Sequence, residues 1–375
     1  MAEVSIRGVS KRYPSGNLAV ADLSLQLEEG KLLALVGPSG SGKTTLLRLL
    51  AGLEAPSSGT IFFGKEDVTR WPPHQRQTAV VFQTPGLYPH WSVRKNLELG
   101  LQPTGGGWYW QRRQATSPVL SASSVRERIE KVARVLGIDS LLDRFPTQLS
   151  GGEQQRVALG RGLVQEPAVL LLDEPFAHLD GVLRRELRDL VRSQQRSLGT
   201  TTLLVTHDPA EALAVSDRLA VIHQGRLLQV SSPQEIYDLP DNPEVARWGG
   251  PLGMNLWQGQ VVEMDGGAWF SAEGWQIKLP SQLTQRVHMA DEVLFGVRPE
   301  QISFQPGEFS TVGKVESQVF VGDGWLVQAS LEQGKLALVR VPRGEVLPAV
   351  GERVQLSVRG ADAHWFSATR GKRLI

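Results

Sequence analysis

One string constrains this chain more than any other: Gly37-Pro38-Ser39-Gly40-Ser41-Gly42-Lys43-Thr44-Thr45, with the spacing G-x-x-x-x-G-K-[ST]. It follows the apolar run 31–36 and precedes the helical pattern 44–50, so strand, glycine loop and helix come in the order that a phosphate cradle needs. Glycine lets the backbone turn tightly enough for successive N–H groups to face phosphate oxygens, and the helix N-terminus adds positive potential. In such a loop Lys43 reaches the β- and γ-phosphates of a nucleotide, and the Thr44 hydroxyl takes one position on Mg²⁺. The flanking strand and helix argue against a merely structural glycine turn.

Two further strand candidates, 169–172 and 201–206, also end in polar residues, Asp173-Glu174 and His207-Asp208. Ligands of α/β sheets bind beyond the carboxyl ends of the strands, so the three segments are expected to converge on one site. Two carboxylates closing a wholly apolar strand are costly unless a cation and a reacting water are present. In P-loop enzymes the first such Asp holds Mg²⁺ and a neighbouring carboxylate orients the attacking water. Asp173 is therefore assigned to the metal and Glu174 to the general base.

Up to about Val230, buried-strand runs alternate with longer helical stretches, which predicts a largely parallel sheet flanked by helices. Residues 92–100, 125–136 and 151–165 read as helices, a helical subdomain inserted at about 90–165. Arg218 to Val230 reads as a hairpin around Gln224-Gly225. These features define a first domain at 1–232 and a connector at 233–248. From 249 to 375, short Val- and Gly-rich runs separated by Gly, Asp and Pro predict a small β-barrel or sandwich.

Composition excludes several classes of function. The chain has 375 residues and a formal charge of +1, with 40 Lys and Arg spread along it, so the concentrated basic face of a nucleic-acid binder is missing. It contains no cysteine, which excludes a disulfide framework and cysteine-ligated zinc. The first residues lack a signal-peptide core, and no apolar run is long enough to span a bilayer. The expected location is the cytoplasm, with any membrane role exercised by docking on another chain.

Leu149-Ser150-Gly151-Gly152-Glu153 permits two compatible readings. Ser150 with Glu153 is a capping box that opens the helix 151–165, while adjacent glycines at a helix start leave N–H groups open to an anion. Extended to Arg156, this string resembles the signature motif of ATP-binding cassette (ABC) proteins, and the resemblance covers nearly everything from Val4 to Trp248. Tyr13 in Lys11-Arg-Tyr-Pro14 is similar to the adenine-stacking aromatic of that family, and Gln83 in Val80-Val-Phe-Gln83 to its Q-loop glutamine. Leu179-Asp180 resembles the D-loop and His207 the switch histidine; Ala177-His178 departs from the commoner pattern, in which a small hydroxyl residue comes first.

The resemblance implies an α/β P-loop NTPase cassette with an inserted helical subdomain, followed by an all-β, OB-like regulatory domain. It implies ATP and Mg²⁺ as ligands, with Thr44, Gln83 and Asp173 at the metal and Glu174, His207 and Gln83 in catalysis. It also implies a homodimer closed by ATP, in which Ser150, Gly151 and Gly152 of one copy face the γ-phosphate held by the other, with Asp180 at the same interface. Gly253-Met-Asn255 and Phe295-Gly-Val-Arg-Pro-Glu300 resemble the tail of importer ATPases of the maltose and glycerol-phosphate type, and less closely those for polyamines or iron. The partners expected are two transmembrane permease subunits and, indirectly, a periplasmic or lipid-anchored solute-binding protein, with the ATPase on the inner face of the membrane. A polyamine or inorganic-ion importer and a soluble non-transport ABC ATPase stay open as alternatives. Leu101 to Ser124, with Gly105-Gly-Gly-Trp108-Tyr109-Trp110 and Arg112-Arg113, reads either as an exposed loop or as a contact with permease or membrane.

Overall fold

The computed structural model describes residues 2–101, 121–177, 179–272, 274–331 and 334–375. The 101–124 insertion, read either as an exposed loop or as a contact with permease or membrane, lies largely outside the described residues, as does His178. The chain falls into two compact units, Met1–Gln234 and Glu235–Ile375. Apart from Pro233 and Gln234, the segment read as a connector belongs to the second unit.

In the first unit the elements run β1 (Val4–Arg12), β2 (Leu18–Leu27), β3 (Leu32–Val36), α1 (Lys43–Ala51), β4 (Ser58–Phe63), β5 (Glu66–Asp67), β6 (Thr78–Val81) and α2 (Val93–Leu99). They continue with α3 (Ala122–Leu136), α4 (Gly151–Leu163), β7 (Val169–Asp173), α5 (Gly181–Leu198), β8 (Thr201–Thr206), α6 (Pro209–Val215), β9 (Arg218–His223) and β10 (Arg226–Ser231). One sheet has the order β10-β9-β3-β8-β7-β6. Its strands pair in parallel from β9 to β6, and only β10 is antiparallel, as the hairpin partner of β9. Every residue of β3, β7 and β8 is buried, as in a parallel sheet covered on both faces; β3 and β7 up to Leu172 read as apolar runs, while β8 buries Thr201, Thr202 and Thr206 beside Leu203, Leu204 and Val205. Helix α1 contributes Leu46, Leu47, Leu49 and Leu50, all fully buried, to one core cluster with Leu33, Leu35, Leu171, Leu203 and Val205.

A second sheet, β2-β1-β4-β5, is antiparallel throughout and was not expected from the sequence. Its strands are covered on one face only, and bulges break the alternation of β1 that would have marked it as a strand. The three helices expected between the P-loop strand and β7 are α2, α3 and α4, the last two capped by Ser121 and Ser150.

Helix α7 (Pro233–Asp238) begins two residues before the second unit, and α8 (Pro243–Trp248) lies within it. Strands β11 (Asn255–Met264), β12 (Gly267–Ala272), β13 (Trp275–Lys278), β14 (Glu292–Val297), β15 (Phe309–Phe320), β16 (Gly324–Leu331), β17 (Leu336–Pro342), β18 (Arg353–Val358) and β19 (His364–Ser367) follow, with a short helix at Ser281–Thr284. They form a five-stranded sheet, β13-β12-β11-β14-β19, and a four-stranded one, β17-β16-β15-β18, both antiparallel. Phe295 is the hub of the core, with ring centroids 5.6 Å from Trp257, 5.2 Å from Trp275 and 4.9 Å from Trp365. Among the described residues no helix is long and apolar enough to cross a membrane.

Candidate functional site

Strand register decides which side chains meet. Val36 pairs with Thr206, and Asp173 pairs with Val205, so β3, β7 and β8 end level with one another. The loop 37–45 leaves β3 at that edge, Glu174 and His207 follow β7 and β8 there, and Val81 of β6 pairs with Leu172. Gln83 comes two positions after Val81, exposed at the same edge.

Packing explains two of the loop's glycines. A β-carbon on Gly37 would stand 2.1 Å from the Ile222 carbonyl oxygen, and one on Gly42 would stand 2.3 Å from that of Ala19. Gly42 also has φ 104°, which L side chains rarely adopt. Gly225 in the turn between β9 and β10 donates its N–H to Ser41 O at 2.9 Å, holding the loop against that hairpin. Pro38, Ser39 and Gly40 are left at its more open side, and Thr45 follows Thr44 in the first turn of α1.

Lys43 is 6% exposed, and its ammonium donates to the carbonyls of Gly37 at 2.8 Å and Pro38 at 2.9 Å. Burial lowers its pKa, opposed by the negative charge of Glu174 and Asp173. Asp173 is also buried; desolvation raises its carboxyl, and a hydrogen bond from the Thr44 hydroxyl, 3.3 Å from Oδ1, acts the other way. A hydroxyl and a carboxylate so close form a hard-oxygen pair of the kind that suits magnesium, and the amide of Gln83 belongs to the same edge. Among the described residues no group of three His, Cys, Asp or Glu could hold an ion by itself. That is compatible with magnesium, which keeps waters and phosphate oxygens in its shell.

Glu174 adopts φ 48°, a left-handed conformation costly for a residue with a β-carbon, while its amide donates to Val205 O at 2.8 Å. The turn places its carboxylate beside the neighbouring strand's end, where Oε2 lies 3.1 Å from His207 Nδ1. Tyr13 sits near α1, with its hydroxyl 3.5 Å from Thr45 Oγ1 and 3.4 Å from Glu54 Oε1. Glu54 also pairs with Lys11 at 2.7 Å, and Lys11 Nζ lies 5.2 Å from the Tyr13 ring centroid. Glu54 escaped the sequence reading, because a lone Glu after a helix carries no local signal.

The remaining predicted residues are not brought to the loop within one chain. Ser150 caps α4 and shares a capping box with Glu153, whose carboxyl is held low by hydrogen bonds from the Ser150 backbone and side chain. Gly151 is exposed; Gly152 packs under Leu183, where a β-carbon would meet Cδ1 at 3.0 Å. Asp180 caps α5 by accepting from the amides of Val182 and Leu183. Among the described residues no hydrogen bond joins any of these four to 37–45.

Residues 20–177 match the model of the ABC transporter family. Along its whole length the chain is 38% identical to an sn-glycerol-3-phosphate import ATP-binding protein of Brucella abortus, covering 100% of this chain and 99% of that one. The chain belongs to the ABC transporter ATP-binding proteins. It is also 37% identical to a xylose/arabinose import ATP-binding protein of Haloferax volcanii, covering 99% of this chain and 95% of the relative. In the second unit of this ABC ATPase, 253–302 match the MalK OB fold domain and 295–366 the TOBE domain. Among solved structures, the cbiO1 part of a Clostridium perfringens ABC transporter complex superposes with a TM-score of 0.55 and 28% identity. It covers 62% of this chain and 89% of the other. The protein is therefore an ATP-binding, ATP-hydrolysing P-loop cassette with a C-terminal OB and TOBE region.

The second unit also explains the tail residues that carried the resemblance. Asn255 accepts from Leu338 N at 2.8 Å and donates to Leu338 O at 2.9 Å, joining β11 of one sheet to β17 of the other. Arg298, 1% exposed, donates to Ala246 O at 2.9 Å and Tyr237 O at 2.8 Å and lies 4.2 Å from the Tyr237 ring centroid. It fastens α7 and α8 to the β-structure that follows.

Proposed function

We propose that this chain is the ATPase subunit of a solute importer, acting as a homodimer beneath two transmembrane permease subunits that a solute-binding protein supplies. The observation that carries this reading is the end-to-end match, through OB and TOBE regions alike, to relatives named as import ATP-binding proteins. The cargo is a carbohydrate or a glycerol phosphate. Relatives named for sn-glycerol-3-phosphate and for xylose/arabinose stand at 38% and 37% identity, so similarity of the ATPase leaves both within that class. Cargo contacts belong to other chains.

In this reading Tyr13 stacks on the adenine, while the amides of 37–45 and the Lys43 ammonium hold the phosphates. Thr44, Asp173 and Gln83 would hold Mg²⁺, which when bound neutralises phosphate charge. Glu174 accepts a proton from the water that attacks the γ-phosphorus as the bond to the ADP oxygen breaks, and His207, 3.1 Å away, orients that carboxylate and the departing phosphate. Ser150, Gly151 and Gly152 at the start of α4 supply N–H and hydroxyl donors to the γ-phosphate bound by the other copy, with Asp180 beside them. Loss of that phosphate on hydrolysis removes the contact favouring the closed dimer, which converts a chemical step into a conformational one. The chain would then work at the cytoplasmic face of the membrane.

Mild detergent extraction of the tagged protein from its own membranes, followed by mass spectrometry, tests the assembly. Two polytopic membrane proteins should copurify. Recovery of soluble partners only would move the protein to the non-transport ABC ATPases.

A further inference from the structure

Glu211 is a buried carboxylate that the mechanism above does not use. It lies in α6, 8% exposed, and its Oε2 accepts a hydrogen bond of 2.7 Å from the Thr206 hydroxyl, the last residue of β8. The same Thr206 oxygen accepts from Asp208 N at 3.0 Å. The backbone is thus clamped on both sides of His207, whose own side chain is 57% exposed and carries few constraints of its own.

The other face of the carboxylate looks toward α5. Arg184 Nε stands 3.7 Å from Glu211 Oε1, an ion-pair distance, and that Nε has no hydrogen-bond partner. Arg184 Nη2 donates to Leu179 O at 3.0 Å. One carboxylate therefore spans the residues flanking His207 and, through a single arginine, the backbone of Leu179-Asp180. Desolvation raises the Glu211 carboxyl, opposed by the Thr206 hydrogen bond, so burying it there is a cost that packing alone does not explain.

We propose that Glu211 is a positioning residue for ATP hydrolysis, holding His207 against Glu174 through Thr206 and linking that geometry to Leu179-Asp180 through Arg184. This rests on His207 serving the hydrolytic step, as proposed above. The geometry asks three things of Glu211 and Thr206: a carboxylate charge facing Arg184, an acceptor for the Thr206 hydroxyl, and a hydroxyl at 206 that donates and accepts at once.

The test is steady-state hydrolysis of Mg-ATP by the purified full-length chain carrying Glu211→Gln, Thr206→Val or Thr206→Ser, with Glu211→Gln repeated on a His207→Ala background. Glu211→Gln and Thr206→Val should each lower kcat about 10-fold with KM for ATP within about twofold, and Thr206→Ser should retain most of the activity. On the His207→Ala background Glu211→Gln should cost at most about a further twofold, because its effect runs through the missing ring. A loss by the same factor on both backgrounds, a KM that rises as kcat falls, or a Thr206→Ser protein as poor as Thr206→Val overturns the proposal. Should Glu211→Gln fail to fold, the two Thr206 variants decide alone. Normal turnover by His207→Ala would instead remove the role given to His207, and the proposal with it.

Discussion

Nδ1 of His207 stands 3.1 Å from Oε2 of Glu174, although the two side chains leave different strands. The parallel pairing of Asp173 with Val205 brings the strand ends together, and the left-handed turn at Glu174 aims its carboxylate across the gap. The general-base role proposed for Glu174 rests on this placement beside a histidine, at the sheet edge that also carries the P-loop.

Lys43 carries its charge in a buried place at a cost, since desolvation lowers its pKa. Lys43→Ala should weaken ATP binding roughly 10- to 100-fold, the worth of charge-assisted hydrogen bonds to phosphate. The nucleotide-free protein should lose little thermal stability, because the substitution also removes a desolvated cation. Titration with a fluorescent ATP analogue, beside melting curves, checks both halves.

Tyr13 is held in place by Glu54 and Lys11. Tyr13→Ala should raise KM for ATP by about 5- to 150-fold, the equivalent of roughly 1–3 kcal/mol of stacking, with kcat at saturating ATP nearly unchanged. Tyr13→Phe keeps the ring and should lose much less. A fall in kcat without a change in KM would show that the ring does not face the base.

Much of this site was legible because its residues are contiguous. Gly37 to Thr45 declares strand, loop and helix within one short string, and β3 and β7 up to Leu172 are apolar runs because each is buried on both faces. Contacts made across the fold were silent. Glu54 meets Tyr13, and Glu211 meets Thr206, only once distant segments have folded together, and neither has a local pattern to mark it. The β2-β1-β4-β5 sheet is only partly legible: bulges interrupt the alternation of β1, although residues 22–27 of β2 alternate exposed and buried cleanly. Arg298 and Asn255 stood out in the sequence by resemblance, while what they do became visible only with the carbonyls of Tyr237, Ala246 and Leu338 around them.

His364 offers a pH signature for the second unit. It is 8% exposed, its Nδ1 has no hydrogen-bond partner, and burial, with Arg373 and Arg298 nearby, lowers its pKa from 6.5 to about 4. A histidine depressed in the folded state is neutral there at pH 7 and mostly neutral in the unfolded chain. As pH falls below 6.5 the unfolded chain takes up the proton first, so stability is lost progressively down to about pH 4, by about 3 kcal/mol in all. Replacing it, His364→Leu, should shrink the difference between unfolding curves recorded at pH 7 and near pH 4.5. Identical acid sensitivity in the two proteins would refute the assignment.

The most direct test of the whole account is Glu174→Gln, measured for ATP turnover and for mass in solution with Mg-ATP. The variant keeps the shape of the site but cannot accept the proton of the attacking water, so turnover should fall at least about 100-fold while ATP stays bound. The protein should then run as a stable dimer held by nucleotide between Gly37–Thr45 of one copy and Ser150–Gly152 of the other. Hydrolysis near the wild-type rate, or a monomer with ATP bound, would contradict the roles assigned to Glu174 and to the shared site.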